Sequence, residues 1–438
     1  MKKLHWIVAL VLVLAMALPV ADIRVPALRS TGTALAQDGE TEITFWHFWG
    51  SPVRRTAVRR VVAICEAQMD GIKVNEVFKP WGDIWTANIA AVAAGSGMPD
   101  VIVEDRPQLP RIAADGIQQS LQAYIDRDGF DTGVFWPFVW EQTLYEGESY
   151  GIPFETDVRV LFYNQTLLNE AGFDRPPETW DELWEYADAL DQWNEDGSLK
   201  RMAFFPLYGN VGLDLWAQTN GHDWVQDGRP VINAPAVLET MQWLQQWIER
   251  YGGWENIQSF LAQYGAPPND PFMSNAIVMK VDVAGYHSQL SFYRPRTTLA
   301  DDSQVNMEWS AGLVPYKERP ATYSGGFALS IPVGAAHPDE AWEFIKCASG
   351  YDANVSWARD TYAIPTYQEA AYDPVLMAEP IWQFFVESME YGVVTPFVPE
   401  YPNWFNDTIG LMQEDVWYGA LSAEDMLADA QDLVDGYF

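Results

Sequence analysis

An alternating pattern begins with EITFW (42–46) and continues through two further strand-like runs, IKVNEVF (72–78) and VIV (101–103). Each run is rich in β-branched residues and predicts a strand. Between the runs, apolar side chains recur at helical spacing over residues 58–65 and 85–92, which predicts two amphipathic helices. The order strand, helix, strand, helix, strand implies a parallel sheet with right-handed crossovers. The expected fold class is therefore α/β.

The rest of the chain keeps alternating strands and helices without a break rich in Pro, Gly or Ser. An extended segment is predicted over 151–163, and later strands over 276–283 and 327–333. Two lobes joined by a disordered tether would show such a break, whereas two lobes connected by short extended crossings would not. The second arrangement leaves a cleft at the carboxyl ends of strands, where open α/β sheets bind ligands.

Charge argues against two classes of partner. The 438 residues contain 26 Lys or Arg and 61 Asp or Glu, so the formal net charge is −35. Nucleic acids and anionic membrane surfaces both attract clustered basic residues, so we expect neither as a partner. Hydrophobic residues make up 48% of the chain, the balance of a globular protein of about two domains.

The N-terminus predicts export. Lys2 and Lys3 precede an apolar run over residues 6–18, which is too short to span a bilayer comfortably. A small-x-small site ends the expected signal peptide, residues 1–36, and cleavage nearer Ala21 is left open. An uncleaved anchor is the alternative. We expect a periplasmic or extracellular protein associated with the cell surface.

The two cysteines, Cys65 and Cys347, each fall on the apolar stripe of a predicted helix. This placement favours two buried thiols. A disulfide stays open, because exported proteins can form one and the distance between the two residues cannot be read from sequence. Two cysteines and scattered histidines make no zinc signature, so we expect no metal and no cofactor.

The chain carries none of the common catalytic motifs. It lacks G-x-S-x-G, H-E-x-x-H, a Walker P-loop and G-x-G-x-x-G. We therefore expect a protein that is not an enzyme. A secreted glycosidase stays open, because such an enzyme needs only two carboxylates close in space and an acidic chain offers many.

Aromatic residues gather beside predicted loops and turns. The chain has 21 Trp, 20 Tyr and 21 Phe, and several of them belong to no helical stripe. Sugar rings present apolar C–H faces and polar rims, so they stack on aromatic rings while polar side chains bind their hydroxyls. Packing explains any single ring better, but the group predicts a carbohydrate site. The expected stacking rings are Trp216 and Trp404, together with Trp224, Tyr286 and Trp357.

A longer stretch carries a family resemblance. It reads YGIPFE (150–155), LFYNQ (161–165), EAGFD (170–174) and PPETWDEL (176–183). This series resembles the corresponding segment of family 1 extracellular solute-binding proteins of ABC importers, of the maltose-binding-protein-like carbohydrate type. HPDEAWEFI, at 337–345, resembles the family's return to the first lobe.

The resemblance implies a type II periplasmic-binding-protein fold. In that fold two lobes, each a central mainly parallel sheet flanked by helices, close on a ligand by a hinge motion. The first lobe would comprise residues 40–153 and 316–350, and the second residues 154–315 and 351–438.

The implied function is an exported substrate-binding protein. It would capture a neutral sugar or oligosaccharide and deliver it to the membrane permease subunits of an ABC importer, and we expect it to be a monomer. A binding protein for another neutral or cationic solute, or a secreted glycosidase, is the alternative.

The resemblance also implies which residues contact the ligand. At the strand ends of the first lobe these are His47, Trp49, Trp81, Asp83, Glu104, Asp105 and Arg106. At the first crossing they are Glu155, Thr156 and Asp157, with Glu155 in the position of a hydroxyl-binding carboxylate. On the far side they are Tyr208, Trp216, Gly285, Tyr286, Gly325, Gly326, Trp357, Arg359 and Trp404, to which the aromatic pattern adds Trp224.

Overall fold

The computed structural model of the protein describes residues 40–438 except 395, 396, 399, 401 and 402. The expected signal peptide, residues 1–36, lies outside the described residues. Within the described part of the chain, no helix has both the length and the apolar character that a membrane span requires.

The predicted opening pattern forms the edge of a six-stranded sheet. The strands Thr41–His47, Ile72–Phe78 and Val101–Asp105 pair in parallel, which confirms the strand–helix–strand prediction. Across the sheet the order is Ile364–Pro365, Ile152–Thr156, Gly326–Ser330, Val101–Asp105, Thr41–His47 and Ile72–Phe78. Gly326–Ser330 runs antiparallel to both of its neighbours, so the sheet is mixed.

A second, three-stranded sheet differs from the mainly parallel sheet that was expected. Its central strand, Arg159–Asn164, pairs antiparallel with Met279–Val283 on one side and with Trp309–Gly312 on the other. The central strand leads away from the first sheet, and both partners return from distant parts of the chain in the opposite direction. Antiparallel pairing follows from these directions.

Short two-stranded ribbons and helices complete the fold. The ribbons pair Leu144–Tyr145 with Glu148–Ser149, Gln192–Trp193 with Leu199–Arg201, Val225–Gln226 with Arg229–Pro230, Arg296–Thr298 with Gln304–Asn306, and Thr322–Tyr323 with Gly392–Val393. The α-helices are Pro52–Glu66, Asp83–Ala94, Leu109–Ala114, Gln122–Asp128, Pro137–Glu141, Gln165–Glu170, Trp180–Leu190, Leu213–Thr219, Pro235–Arg250, Trp254–Leu261, Tyr286–Tyr293, Pro338–Ala348, Tyr351–Thr361, Gln368–Ala371, Pro380–Ser388, Gly410–Trp417 and Ala423–Asp435.

Each sheet has its own hydrophobic core. The core of the three-stranded sheet is rich in tryptophan, with Trp180 stacked on Trp243 and Trp184 stacked on Trp247, both at 4.1 Å between ring centroids. The core of the six-stranded sheet includes Trp357, from the Tyr351–Thr361 helix. The lobe boundaries stay predictions, and this helix packs against the Pro52–Glu66 helix and the core of the six-stranded sheet as well as against the Gln368–Ala371 helix that follows it.

Cys65 and Cys347 form a disulfide, which is the alternative that the sequence left open and not the two buried thiols that it favoured. Their helices, Pro52–Glu66 and Pro338–Ala348, pack against each other and bring the two Cα atoms to 5.6 Å. This distance lies inside the range that a disulfide can bridge. The apolar faces of the two helices pack against each other, and this packing places Cys65 beside Cys347.

We predict that the disulfide stabilises the fold. It closes a loop across 282 residues of sequence separation, so it restricts the unfolded chain strongly. The double variant Cys65→Ser, Cys347→Ser should lose about 2–4 kcal/mol of unfolding free energy in urea. Dithiothreitol should destabilise the wild type and leave the variant unchanged. Two titratable thiols in the denatured, unreduced wild type would contradict the pairing.

Candidate functional site

An open cleft of about 790 Å³ lies between the two sheets, where the chain crosses from one to the other. Asp105 ends one strand of the first sheet, Glu155 lies in the next crossing strand, and Asp282 lies in the second sheet. Half of the expected contacts line this cleft: Trp49, Trp81, Asp105, Glu155, Asp157, Tyr208, Gly285, Tyr286, Gly325 and Gly326.

Gly326 lets two chain crossings approach each other closely. Its φ is +117°, and a Cβ there would lie 2.2 Å from the carbonyl oxygen of Glu155 and 2.8 Å from the Cα of Thr156. Both the backbone conformation and the space therefore require glycine. Gly326 contributes to the cleft through its missing side chain.

Arg106 holds these crossings from behind and does not line the cleft. Its fully buried guanidinium donates to Thr156 Oγ1 at 3.3 Å, to the carbonyl oxygens of Ser324 and Gly325, and to Gln142 Oε1 at 2.8 Å. Burial lowers the pKa of Arg106 to about 10, so it stays charged at neutral pH. Thr156 is buried in the same network, and both residues support the cleft instead of facing a ligand.

Two side chains hold the carboxylate of Glu155. Trp357 Nε1 donates to its Oε2 at 2.5 Å, and Arg54 Nη1 lies 3.7 Å from its Oε1. Burial raises the pKa of Glu155, while Arg54 and the Trp357 hydrogen bond act in the opposite direction. Trp357 is thus a residue that positions Glu155 and is itself buried beneath the cleft.

Two further carboxylates, those of Asp157 and Asp105, lie near Arg159. Asp157 pairs with the Arg159 guanidinium and accepts a hydrogen bond from the backbone N–H of Gly325 at 3.2 Å. Asp105 faces the same region, and burial raises its pKa to about 7, with Arg159 and Arg106 acting against that rise. A carboxyl group with this pKa can accept or donate a hydrogen bond near neutral pH.

The far wall holds a buried charge network around Lys280. Its Nζ lies 2.6 Å from Asp282 Oδ2 and 3.5 Å from Asp270 Oδ2. Asn210 donates to Asp282 at 2.7 Å, and Tyr286 donates its hydroxyl proton to Asp270 at 2.5 Å. All five side chains line the cleft.

Trp81 provides an exposed aromatic surface at the cleft. Its side chain is 59% exposed, yet it is held edge-on by Phe48 at 4.8 Å and by Trp85 at 4.7 Å between centroids. Phe327 packs against the same cluster. A ring that is fixed from behind and free in front can stack on a ligand without reorganising.

The two rings named first as stacking platforms lie in the core instead. Trp216 and Trp404 are each 0% exposed and pack in the core of the three-stranded sheet. Trp216 is one of the buried residues of the Leu213–Thr219 helix, and its Nε1–H donates to the carbonyl oxygen of Pro206 at 2.7 Å. Trp224 packs beside Trp404 and lines a different cavity. Neighbouring turns had suggested that these rings face the ligand, but the free energy gained by burying large apolar side chains places them in the core.

Four further expected contacts point elsewhere. Successive strand residues face opposite sides, so Glu104 lies behind the sheet while Asp105 faces the cleft. His47 is buried, and burial lowers its pKa to about 4. Asp83 is exposed at a helix start away from the lining, and Arg359 pairs with Asp373 at 2.8 Å on another surface.

Sequence reasoning missed most of the cleft's charged residues. They are Arg54, Arg159, Asp214, Asp270, Lys280 and Asp282. A signal was available in the strand MKVDV, where Lys280 and Asp282 alternate with apolar residues and therefore share one face. Two opposite charges on one face of an otherwise apolar strand indicate a buried polar site.

Comparison with known proteins gives one family. The family model of bacterial extracellular solute-binding proteins matches residues 60–383. A binding protein of Brucella abortus (strain 2308) is 30% identical over 118 residues, which span 27% of this chain and only 28% of that relative's length. The arabinooligosaccharide-binding protein of Bacillus subtilis (strain 168) is 26% identical over 363 residues, 77% of this chain and 75% of that protein.

Solved structures share the whole architecture. CpMnBP1 with mannotriose bound superposes with a TM-score of 0.78 at 25% identity, over 89% of this chain and 99% of that one. The likeness confirms the type II periplasmic-binding-protein fold.

We predict that Glu104 makes stability depend on pH. Gln118 Nε2 donates to its Oε1 at 2.6 Å, and burial raises its pKa from 4.5 to about 8. Because the folded pKa lies above the unfolded one, the stabilisation is complete below pH 4.5 and is lost as the pH rises towards about 8. Glu104→Gln should flatten this part of the unfolding free energy curve.

Urea unfolding across that pH range measures the effect. Glu185→Gln, at an exposed helix position, is the matched control and should keep the wild-type slope. A Glu104→Gln curve parallel to the wild-type curve would contradict the assignment.

Proposed function

The chain belongs to the bacterial extracellular solute-binding proteins, and on that basis we propose that it captures an uncharged oligosaccharide in its cleft and delivers it to an ABC importer. It would act without catalysis, as an exported monomer whose partners are the membrane permease subunits and not nucleic acid. The names of two similar proteins support this choice: one is an arabinooligosaccharide-binding protein, and the other was solved with mannotriose bound.

One observation carries the proposal: an exposed, buttressed Trp81 and the carboxylates Glu155 and Asp157 line the same cleft. A sugar has an apolar face and a rim of hydroxyl groups, and these two kinds of surface complement them. Stacking on Trp81 would bury the C–H face, while the carboxylates would accept hydrogen bonds from hydroxyls. Charged acceptors make these bonds stronger than neutral ones.

Closure of the cleft would complete the site. The crossings at Thr156–Asp157 and Ser324–Gly325 are short and adjacent, so rotation about them would bring the two sheets together over a ligand. We propose the lobes as residues 40–153 with 316–350 and 154–315 with 351–438, with the Tyr351–Thr361 helix and the strand Ile364–Pro365 packed on the first lobe. Arg106 bonds to both crossings and would remain the fixed point of that rotation.

A cationic solute is the second candidate, because more carboxylates than cations line the cleft. A secreted glycosidase is the third, since carboxylates are present. Calorimetry and thermal unfolding with mannobiose, mannotriose, arabinotriose and spermidine separate the first two. A ligand at 100 times its Kd adds about 2.7 kcal/mol of stability.

We expect at least one neutral oligosaccharide to bind, with a decrease in the radius of gyration by small-angle scattering. Spermidine should produce no shift, and no new reducing ends should form on incubation. A shift with spermidine alone would favour the cationic candidate, and turnover of an oligosaccharide would favour the glycosidase.

We predict opposite effects at two tryptophans. Trp81→Ala should weaken oligosaccharide binding by about 1–3 kcal/mol and leave apo stability nearly intact, because the ring is mostly exposed without ligand. Trp216→Ala should lose about 3–5 kcal/mol of folding free energy, because it empties a core position.

Trp193→Ala is the matched control, since Trp193 is 45% exposed and lies outside the cleft lining. It should change neither affinity nor, to any large extent, stability. Normal affinity in Trp81→Ala would remove Trp81 from the site.

A further inference from the structure

Carboxylates outnumber cations among the described residues that line the cleft. The carboxylates are Asp105, Glu155, Asp157, Asp214, Asp270 and Asp282, and the cations are Arg54, Arg159 and Lys280. A ligand that carries its own negative charge must therefore find a cation that is not already engaged.

Lys280 is the most buried of the three cations and the most fully engaged. Its residue is 5% exposed, and two carboxylates, Asp282 at 2.6 Å and Asp270 at 3.5 Å, flank its ammonium group. The Tyr286 ring covers the ammonium at 4.1 Å. The positive charge is thus outnumbered within its own first contacts.

Both flanking carboxylates are held in place by other donors. Asn210 and the backbone N–H of Val283 donate to Asp282, the latter at 2.8 Å. Tyr286 and the backbone N–H of Met273 donate to Asp270, the latter at 2.9 Å. An entering anion could not simply push either carboxylate aside, because these hydrogen bonds would be lost as well.

The two arginines are also committed. Arg159 pairs with Asp157 and donates its Nε–H to the carbonyl of Asn210 at 3.1 Å. Arg54 faces Glu155 at 3.7 Å. Each cation of the described cleft therefore stands against at least one carboxylate.

We propose that Asp282 and Asp270 determine specificity by neutralising Lys280, so that the cleft accepts uncharged sugars and rejects their phosphate esters. The inference rests on the proposed function in that this cleft is the ligand site. A phosphate monoester carries about −1.5 to −2 charges at neutral pH. Burying it beside Asp282 and Asp270 would place like charges together, which costs binding energy and gives discrimination.

Calorimetry with mannobiose and mannose 6-phosphate tests the proposal on wild type and on Asp282→Asn. The wild type should bind mannose 6-phosphate far more weakly than mannobiose, in titrations at the high ligand concentrations that a weak Kd requires. Asp282→Asn removes the closer partner of Lys280 with little change in shape, and it should bind mannose 6-phosphate at least about tenfold more tightly than wild type, with the gain lost at high salt.

Asp214→Asn is the matched control, because it removes one cleft carboxylate that does not contact Lys280. A smaller gain there than in Asp282→Asn would assign the effect to Lys280 and not to net charge. Adding Lys280→Gln to Asp282→Asn should abolish the gain. Asp270→Asn gives the same test through the other partner if Asp282→Asn does not fold.

Wild-type affinity for mannose 6-phosphate equal to that for mannobiose would overturn the proposal. So would unchanged phosphate-ester affinity in both Asp282→Asn and Asp270→Asn, or an equal gain in Asp214→Asn. If mannobiose and other neutral sugars fail to bind, the proposed function fails, while the comparison of phosphate-ester affinities still decides this inference.

Discussion

The cleft depends on the hydrogen bonds that the buried guanidinium of Arg106 donates to the two crossings. A charge can be buried only if hydrogen bonds replace its hydration, and Arg106 obtains these from Thr156 on one crossing and from Ser324 and Gly325 on the other. The two crossings are thereby fixed side by side. Because Gly326 has no side chain, the second crossing can approach the backbone of Glu155 closely. The carboxylates of Glu155 and Asp157 then line the cleft.

The net charge of the chain and the pairing of charges inside the cleft both bear on which ligands the cleft can bind. A net charge of −35 disfavours anionic ligands at long range. It does not determine whether the cleft contains a cation that no carboxylate neutralises. In this protein Lys280 lies between Asp282 and Asp270, so the local charge around it is negative, like the net charge of the whole chain. Elsewhere in the cleft, Trp81 supplies an exposed aromatic surface.

Sequence reasoning recovered the elements that depend on local patterns. Residue patterns located the strand Ile72–Phe78 and the helix Pro52–Glu66, because side-chain spacing acts between near neighbours. It could not tell whether a tryptophan beside a turn faces a cleft or a core, and Trp216 and Trp404 entered the core. The pairing of Cys65 with Cys347 was equally out of reach, since it depends on how two distant helices pack.

A crystal structure of the protein with mannobiose would locate the ligand and decide whether the cleft between the two sheets binds it. We expect a sugar ring stacked on Trp81, a hydroxyl group within hydrogen-bonding distance of Glu155, and Lys280 still paired with Asp282. Sugar bound outside this cleft, for example in the cavity beside Trp224, with Trp81 bare and Glu155 in its present contacts, would contradict this expectation.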